Sequence, residues 1–109
     1  MAKTELVGAG ALKAGQMKKI TAGGTDFLVA RLEDGFYVLA NKCPHLGGAL
    51  ADGLLEGTVV RCPRHGARYD VRTGENLGEA TLLFIKMKPG PATSYPVTEE
   101  NGLLYVELD

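Results

Sequence analysis

Phe27-Leu28-Val29-Ala30-Arg31-Leu32, then Glu33-Asp34-Gly35, then Phe36-Tyr37-Val38-Leu39-Ala40 is the stretch that sets the fold class. Both flanks are rich in strand-forming residues, and the triplet between them reads as a hairpin loop of the Asp-Gly kind. Working toward the C-terminus, residues 95–98 and 103–108 flank Glu99-Glu100-Asn101-Gly102. Asn-Gly supplies the positive φ angles that a tight hairpin needs, so a second hairpin is expected there. In its last strand Leu104, Val106 and Leu108 fall on one face, opposite Leu103, Tyr105 and Glu107. Shorter strand signals lie at residues 6–7, 17–21, 58–61 and 68–71. Fifteen glycines at turn-like positions, with no sustained 3.6-residue periodicity, fit many short strands. The fold class is therefore all-β, a sandwich or barrel forming a single domain over residues 1–109, without internal repeat or linker.

Two stretches interrupt the strand pattern. Residues 41–57 and 62–66 are rich in Gly and Pro, so loops held by the β scaffold carry whatever chemistry they contain. Residues 79–88 include Leu82-Leu83-Phe84-Ile85, an apolar run for which periodicity does not choose between a short helix and a buried strand.

The chain has two cysteines and two histidines, and all four fall in those loops, as Cys43-Pro44-His45 and Cys62-Pro63-Arg64-His65. Each half offers one thiolate and one imidazole, and glycines follow each: Gly47-Gly48 after the first, Gly66 after the second. Glycine lets backbone approach a cofactor closely, while Pro44 and Pro63 hold the cysteines before them in extended conformations. A Cys43–Cys62 disulfide would leave both histidines unexplained, and a reducing compartment disfavours it. A structural zinc site accepts the same four donors, although zinc knuckles usually pair Cys with Cys and His with His.

Bulk composition excludes other classes. Twelve basic residues nearly balance thirteen acidic ones, for a formal charge of -1, whereas a nucleic-acid binder carries a marked basic excess. The Lys18-Lys19 pair reads as a solvated strand end. No apolar run reaches the length that spans a bilayer, and the first residues lack the apolar core of a secretory signal. The expectation is a cytoplasmic protein without membrane or nucleic-acid partners. No Ser/His/Asp set, paired acids or phosphate loop suggests a catalytic site.

The pattern C-x-H, sixteen residues, then C-x-x-H resembles the Rieske iron–sulfur proteins. Cys43 to Leu50 (Cys-Pro-His-Leu-Gly-Gly-Ala-Leu) and Cys62 to Asp70 (Cys-Pro-Arg-His-Gly-Ala-Arg-Tyr-Asp) carry the likeness, together with the Thr73-Gly74-Glu75 turn and the final hairpin. The resemblance implies a Rieske-like antiparallel β-sandwich or barrel with two cluster-binding loops, within about residues 41–70. It also implies one [2Fe–2S] cluster, with Cys43 and Cys62 on one iron and His45 and His65 on the other. Neutral imidazoles in place of two thiolates remove negative charge, which raises the potential from roughly -400 mV to about -150 to +300 mV.

Respiratory members have an extra cysteine in each loop. Gly48 and Arg64 stand in those places here, and the chain has no third cysteine. The resemblance is thus to the ferredoxin-type branch: electron carriers without a catalytic site of their own, taking electrons from a flavin-dependent reductase and passing them to a terminal oxygenase. A second branch, the small Rieske-like subunit of a nitrite reductase, implies instead tight association with a large haem-containing subunit. Ala67 stands where high-potential members place a serine donor, and Tyr69 offsets part of that loss if its hydroxyl donates to a ligand thiolate. The expected potential lies in the lower half of the Rieske range. Arg64, between two candidate ligands, either favours the reduced state, pairs with an acidic partner or is simply solvated. Residues 79–88 read as an insertion of about ten residues relative to the family.

Overall fold

A run of four consecutive apolar residues cannot present only one face of a strand to a core, because side chains alternate across the sheet. Phe27, Leu28, Val29 and Ala30 are all fully buried, so the strand that holds them lies between two apolar layers. The computed structural model describes residues 2–42, 49–62, 68–78, 80–82, 85–87 and 92–108. In chain order its strands are β1 (Ala2–Gly8), β2 (Gln16–Ala22), β3 (Thr25–Leu32), β4 (Gly35–Ala40), β5 (Leu54–Glu56), β6 (Val59–Arg61) and β7 (Arg68–Asp70). There follow β8 (Asn76–Gly78), β9 (Ala80–Leu82), β10 (Ile85–Met87), β11 (Ser94–Tyr95), β12 (Val97–Glu100) and β13 (Leu103–Leu108). Single 3-10 turns occupy Ala9–Ala11 and Leu50–Asp52. The all-β expectation holds. No helix among the described residues is long and apolar enough to cross a membrane.

The strands pair antiparallel throughout, in sheets ordered β1-β13-β12, β11-β4-β3-β2 and β5-β6-β7-β8, with β9 and β10 as a separate ribbon. The sheet containing the β3–β4 hairpin is the middle layer. One of its faces contributes Phe27, Val29 and Val38 to a core with Leu104 and Val106 of β13. Its other face contributes Leu28, Ala30, Leu32 and Leu39 to a second core with Val60, Cys62, Tyr69 and Val71. The second core is the one that includes Cys62.

Turns and corners refine the sequence reading. Asn101 and Gly102 have φ of 53° and 79°, the paired positive values of a tight hairpin turn, and Glu99 and Glu100 belong to β12 rather than to the loop. In the β3–β4 hairpin Leu32 pairs with Gly35. The loop is therefore Glu33-Asp34 alone, and Gly35, at φ 147°, already opens β4. Residues 95–98 do not form one strand. Tyr95 pairs with Val38 in the middle sheet and Val97 with Val106 in the outer one. Pro96, which has no N–H to extend a ladder, makes the corner between them, and its carbonyl accepts the Glu107 N–H at 3.1 Å. The Phe27 and Tyr95 rings meet edge to face at 5.2 Å and clamp that corner.

One expectation about loops changes, and one open reading is decided for its described part. Residues 41–57 are not loop throughout: the Leu50–Asp52 turn and β5 fall inside them. With three residues, of which Leu55 alone packs inward, β5 is too short to show an alternating pattern. For residues 79–88 the described parts are strands, Leu82 pairing with Ile85. Residues 79, 83, 84 and 88 lie outside the described residues.

Candidate metal centre

The chain leaves the middle sheet at Ala40 and enters the first candidate loop through Asn41 and Lys42. Asn41 is buried at 4% exposure, an unusual place for an amide unless its polar atoms are satisfied. Here they fasten the loop base. The Asn41 N–H donates to the Asp26 carbonyl at 3.1 Å, its own carbonyl accepts the Leu50 N–H at 2.7 Å, and its side-chain Oδ1 accepts the Ala51 N–H at 2.9 Å. Lys42 and Ala49 form an antiparallel bridge just beyond. Residues 42 and 49 are thus held side by side.

The second loop is the connection between β6 and β7. Its base is the Arg61–Arg68 pair, and Cys62 is the first residue past it. Two-residue alternation turns Cys62 and Val60 to the inner face of this sheet and Arg61 to the outer. Cys62 is accordingly 1% exposed, in the core that includes Leu50, Val60 and Tyr69, and it carries a free thiol. Leu50 belongs to the turn that follows the first loop, so that segment and Cys62 share one core.

Backbone packing ties the supports of the two loops more closely still. The Gly53 N–H donates to the Leu50 carbonyl at 3.0 Å, and the next residue, Leu54, pairs with Arg61. A side chain at Gly53 would run directly into the Arg61 carbonyl. Gly53 has φ of -87°, which any residue adopts, so it is required there for space and not for conformation. Tyr69, opposite Val60, is wholly buried. Its hydroxyl therefore does not reach the surface.

Of the four candidate ligands, Cys62 alone is among the described residues, buried in the second core with a free thiol. Cys43, His45 and His65 lie outside the described residues, as do Pro44, Gly47, Gly48, Pro63, Arg64, Gly66 and Ala67. Among the described residues no group of three or more His, Cys, Asp or Glu side chains gathers. Asn41 and Gly53 escaped the sequence reading. A polar residue closing the apolar strand Phe36–Ala40 was a usable signal for Asn41. Nothing in one sequence separates Gly53 from the other glycines. The described residues show a buried free thiol at Cys62, beside two segments whose flanks are each closed by paired backbone.

Comparison with known proteins agrees. The family model described as the Rieske [2Fe-2S] domain matches residues 3–81. The ferredoxin component of the naphthalene 1,2-dioxygenase system of Pseudomonas putida is 32% identical over 94 residues, covering 86% of this chain and 84% of that one. Among solved structures, the ferredoxin of Sphingomonas yanoikuyae B1 superposes with a TM-score of 0.81 at 26% identity, over 99% of this chain and 100% of the other. A complex of reduced oxygenase and oxidized ferredoxin in carbazole 1,9a-dioxygenase matches with a TM-score of 0.80 at 26% identity, over 98% and 97%. Apoptosis-inducing factor 3 of Mus musculus is 39% identical over 64 residues, 59% of this chain, and the match spans only 11% of that longer protein.

Proposed function

This chain belongs to the Rieske [2Fe–2S] family, and from that premise we propose that it is a one-electron carrier, receiving electrons from a flavin-dependent reductase and delivering them to a terminal oxygenase or similar acceptor. The cofactor is a [2Fe–2S] cluster, which when bound takes up and returns a single electron. Cys43, His45, Cys62 and His65 are the ligands in this reading. The observation that carries it is the burial of the free Cys62 thiol at the mouth of a loop closed by the Arg61–Arg68 pair. The names of the dioxygenase-system relatives, one of them in complex with its oxygenase, support the choice of partners.

The protein's own contribution is rigidity and local polarity. Asn41 and the Lys42–Ala49 bridge hold one loop, β6 and β7 hold the other, and Gly53 lets the two supports touch. Ligands that move little between oxidation states keep reorganisation small. A separate catalytic site is not part of this reading, and the cytoplasm is its natural setting.

The test is direct. Purified protein is expected to be red-brown, with two irons and two acid-labile sulfides per chain, and to give a Rieske-type EPR signal on dithionite reduction. A colourless protein with one zinc per chain overturns the reading. Redox titration is expected to place the midpoint in the lower half of the family range, below about +75 mV, since Ala67 has no hydroxyl to donate.

Tyr69 supplies a second, finer expectation. Its buried ring lies in the same core as Cys62, and in this reading its hydroxyl donates to a ligand thiolate. Such a bond strengthens as the site gains negative charge, so it favours the reduced state. Tyr69→Phe is expected to lower the midpoint by about 40 mV, from a differential hydrogen-bond energy of ~1 kcal/mol for one electron. An unchanged midpoint would assign that hydroxyl a purely structural partner.

A further inference from the structure

The charge of -1 conceals a marked asymmetry. Residues 41–69 carry four basic side chains against two acidic ones, and the remainder of the chain eight against eleven. Three of the basic residues of that stretch, Lys42, Arg61 and Arg68, stand at the bases of the two loops. Leu54, Arg61 and Arg68 form one row across β5, β6 and β7, and all three are exposed on the outer face of the sheet. Leu77, at the bulge beside Arg68, is also exposed. Lys42, exposed, stands at the base of the other loop.

Two features of this row point to a partner. The first is an unfavourable pairing: Arg61 and Arg68 are directly opposed across strands, an arrangement that costs stability. Arg61 has only a loose contact with Glu56, at 4.0 Å, and among the described residues no carboxylate pairs with Arg68. The chain's other described arginines serve the fold. Arg31 donates to the Leu12 carbonyl at 2.7 Å and lies over the Phe36 ring, while Arg72 pairs with Asp34 at 3.1 Å. The second is Leu54, 61% exposed beside this charged pair. Arginines next to solvent-facing apolar side chains are the composition of a protein-binding surface.

We infer that the row Leu54–Arg61–Arg68, with Lys42, is the docking face for an acidic surface on a protein redox partner. The inference rests on the electron-carrier reading, because it places the face around the loops that hold the ligands. Basic charge concentrated at that end of a slightly acidic molecule steers an acidic partner to it and turns the electron exit toward the contact. The apolar Leu54 then gives the encounter complex a desolvated anchor. Arg64 lies in the same loop, outside the described residues.

The experiment uses the cluster-loaded protein, reduced and mixed by stopped flow with one of two haem probes: cytochrome b5, whose haem edge is ringed by carboxylates, or cytochrome c, ringed by lysines. Arg61→Gln/Arg68→Gln is expected to slow reduction of cytochrome b5 about tenfold at low ionic strength, and not to slow that of cytochrome c. Salt is expected to abolish the difference. The neutral pair also relieves the cross-strand repulsion, so the variant remains folded; Arg61→Glu/Arg68→Gln extends the series. Lys13→Gln/Lys18→Gln makes the same change in net charge elsewhere in the fold and is expected to leave the cytochrome b5 rate within a factor of about two. Equal slowing by both pairs, or none by the arginine pair, overturns the docking face. The EPR signal and midpoint of each variant are recorded first. If the unmutated protein lacks a Rieske signal, the carrier reading itself has failed, which is a separate result.

Discussion

Replacing Cys62 by alanine is expected to give a colourless protein that retains no stoichiometric iron or sulfide and shows no EPR signal after reduction. In the ligand reading one iron loses a thiolate, and no other described side chain replaces it: Leu50, Val60, Tyr69 and Val71 share its core. The competing reading makes Cys62 a small core residue, which Cys commonly is. Alanine would then remove a single sulfur from a packed interior, a loss on the order of 1 kcal/mol, and the metal content would be untouched. The two readings therefore differ in kind as well as degree. Ligand loss should also lower the unfolding temperature, since a group bound only by the native state stabilises it. Iron and sulfide analysis decides the matter, and Cys62→Ala with full iron and an unaltered spectrum would remove Cys62 from the ligand set.

Gly53→Ala is expected to destabilise the support of both loops. A methyl group there meets the Arg61 carbonyl, part of the backbone of a paired strand, and also crowds the Leu50 carbonyl. Neither obstacle is the far end of a flexible side chain, so relief requires the support of the first loop to part from β6. Overpacking of this kind costs about 1–3 kcal/mol or more. For a domain of this size each kcal/mol lowers the unfolding temperature by roughly 4–8 °C. Because the displaced segments carry both loops, iron release on heating or with chelator should accelerate in parallel. Gly10 is the natural control, with open space around the position of an added methyl and no positive φ. Thermal unfolding and iron release compared between Gly53→Ala and Gly10→Ala test the argument. Equal behaviour would mean that the close approach at Gly53 does not hold the loops together.

Much of this molecule is legible in its sequence. The strand runs at residues 27–32 and 36–40, the Asn101-Gly102 turn and the inward face of Leu104 and Val106 follow from alternation and turn chemistry, which are local. The candidate ligands were legible for a related reason. Metal-binding residue types at characteristic spacing are rare by chance, and in this chain they gather in two Gly- and Pro-rich stretches. Short elements were not legible. A strand such as β5 exists because β6 offers it hydrogen-bonding partners, and three residues have no periodicity of their own.

By itself the sequence determined the all-β class, the Rieske family and the residues to be tested as ligands, because each depends on residue identity within a short window. Tertiary structure decided that the β3–β4 hairpin is buried on both faces, that Pro96 passes the chain from one sheet to another, and that Asn41 closes the base of a loop. It also set Arg61 opposite Arg68 and gave Gly53 its reason to be glycine. Each of these is a meeting of separate strands or loop segments, and the hydrogen bonds, packing and repulsions that define such a meeting come into being only when the sheets assemble.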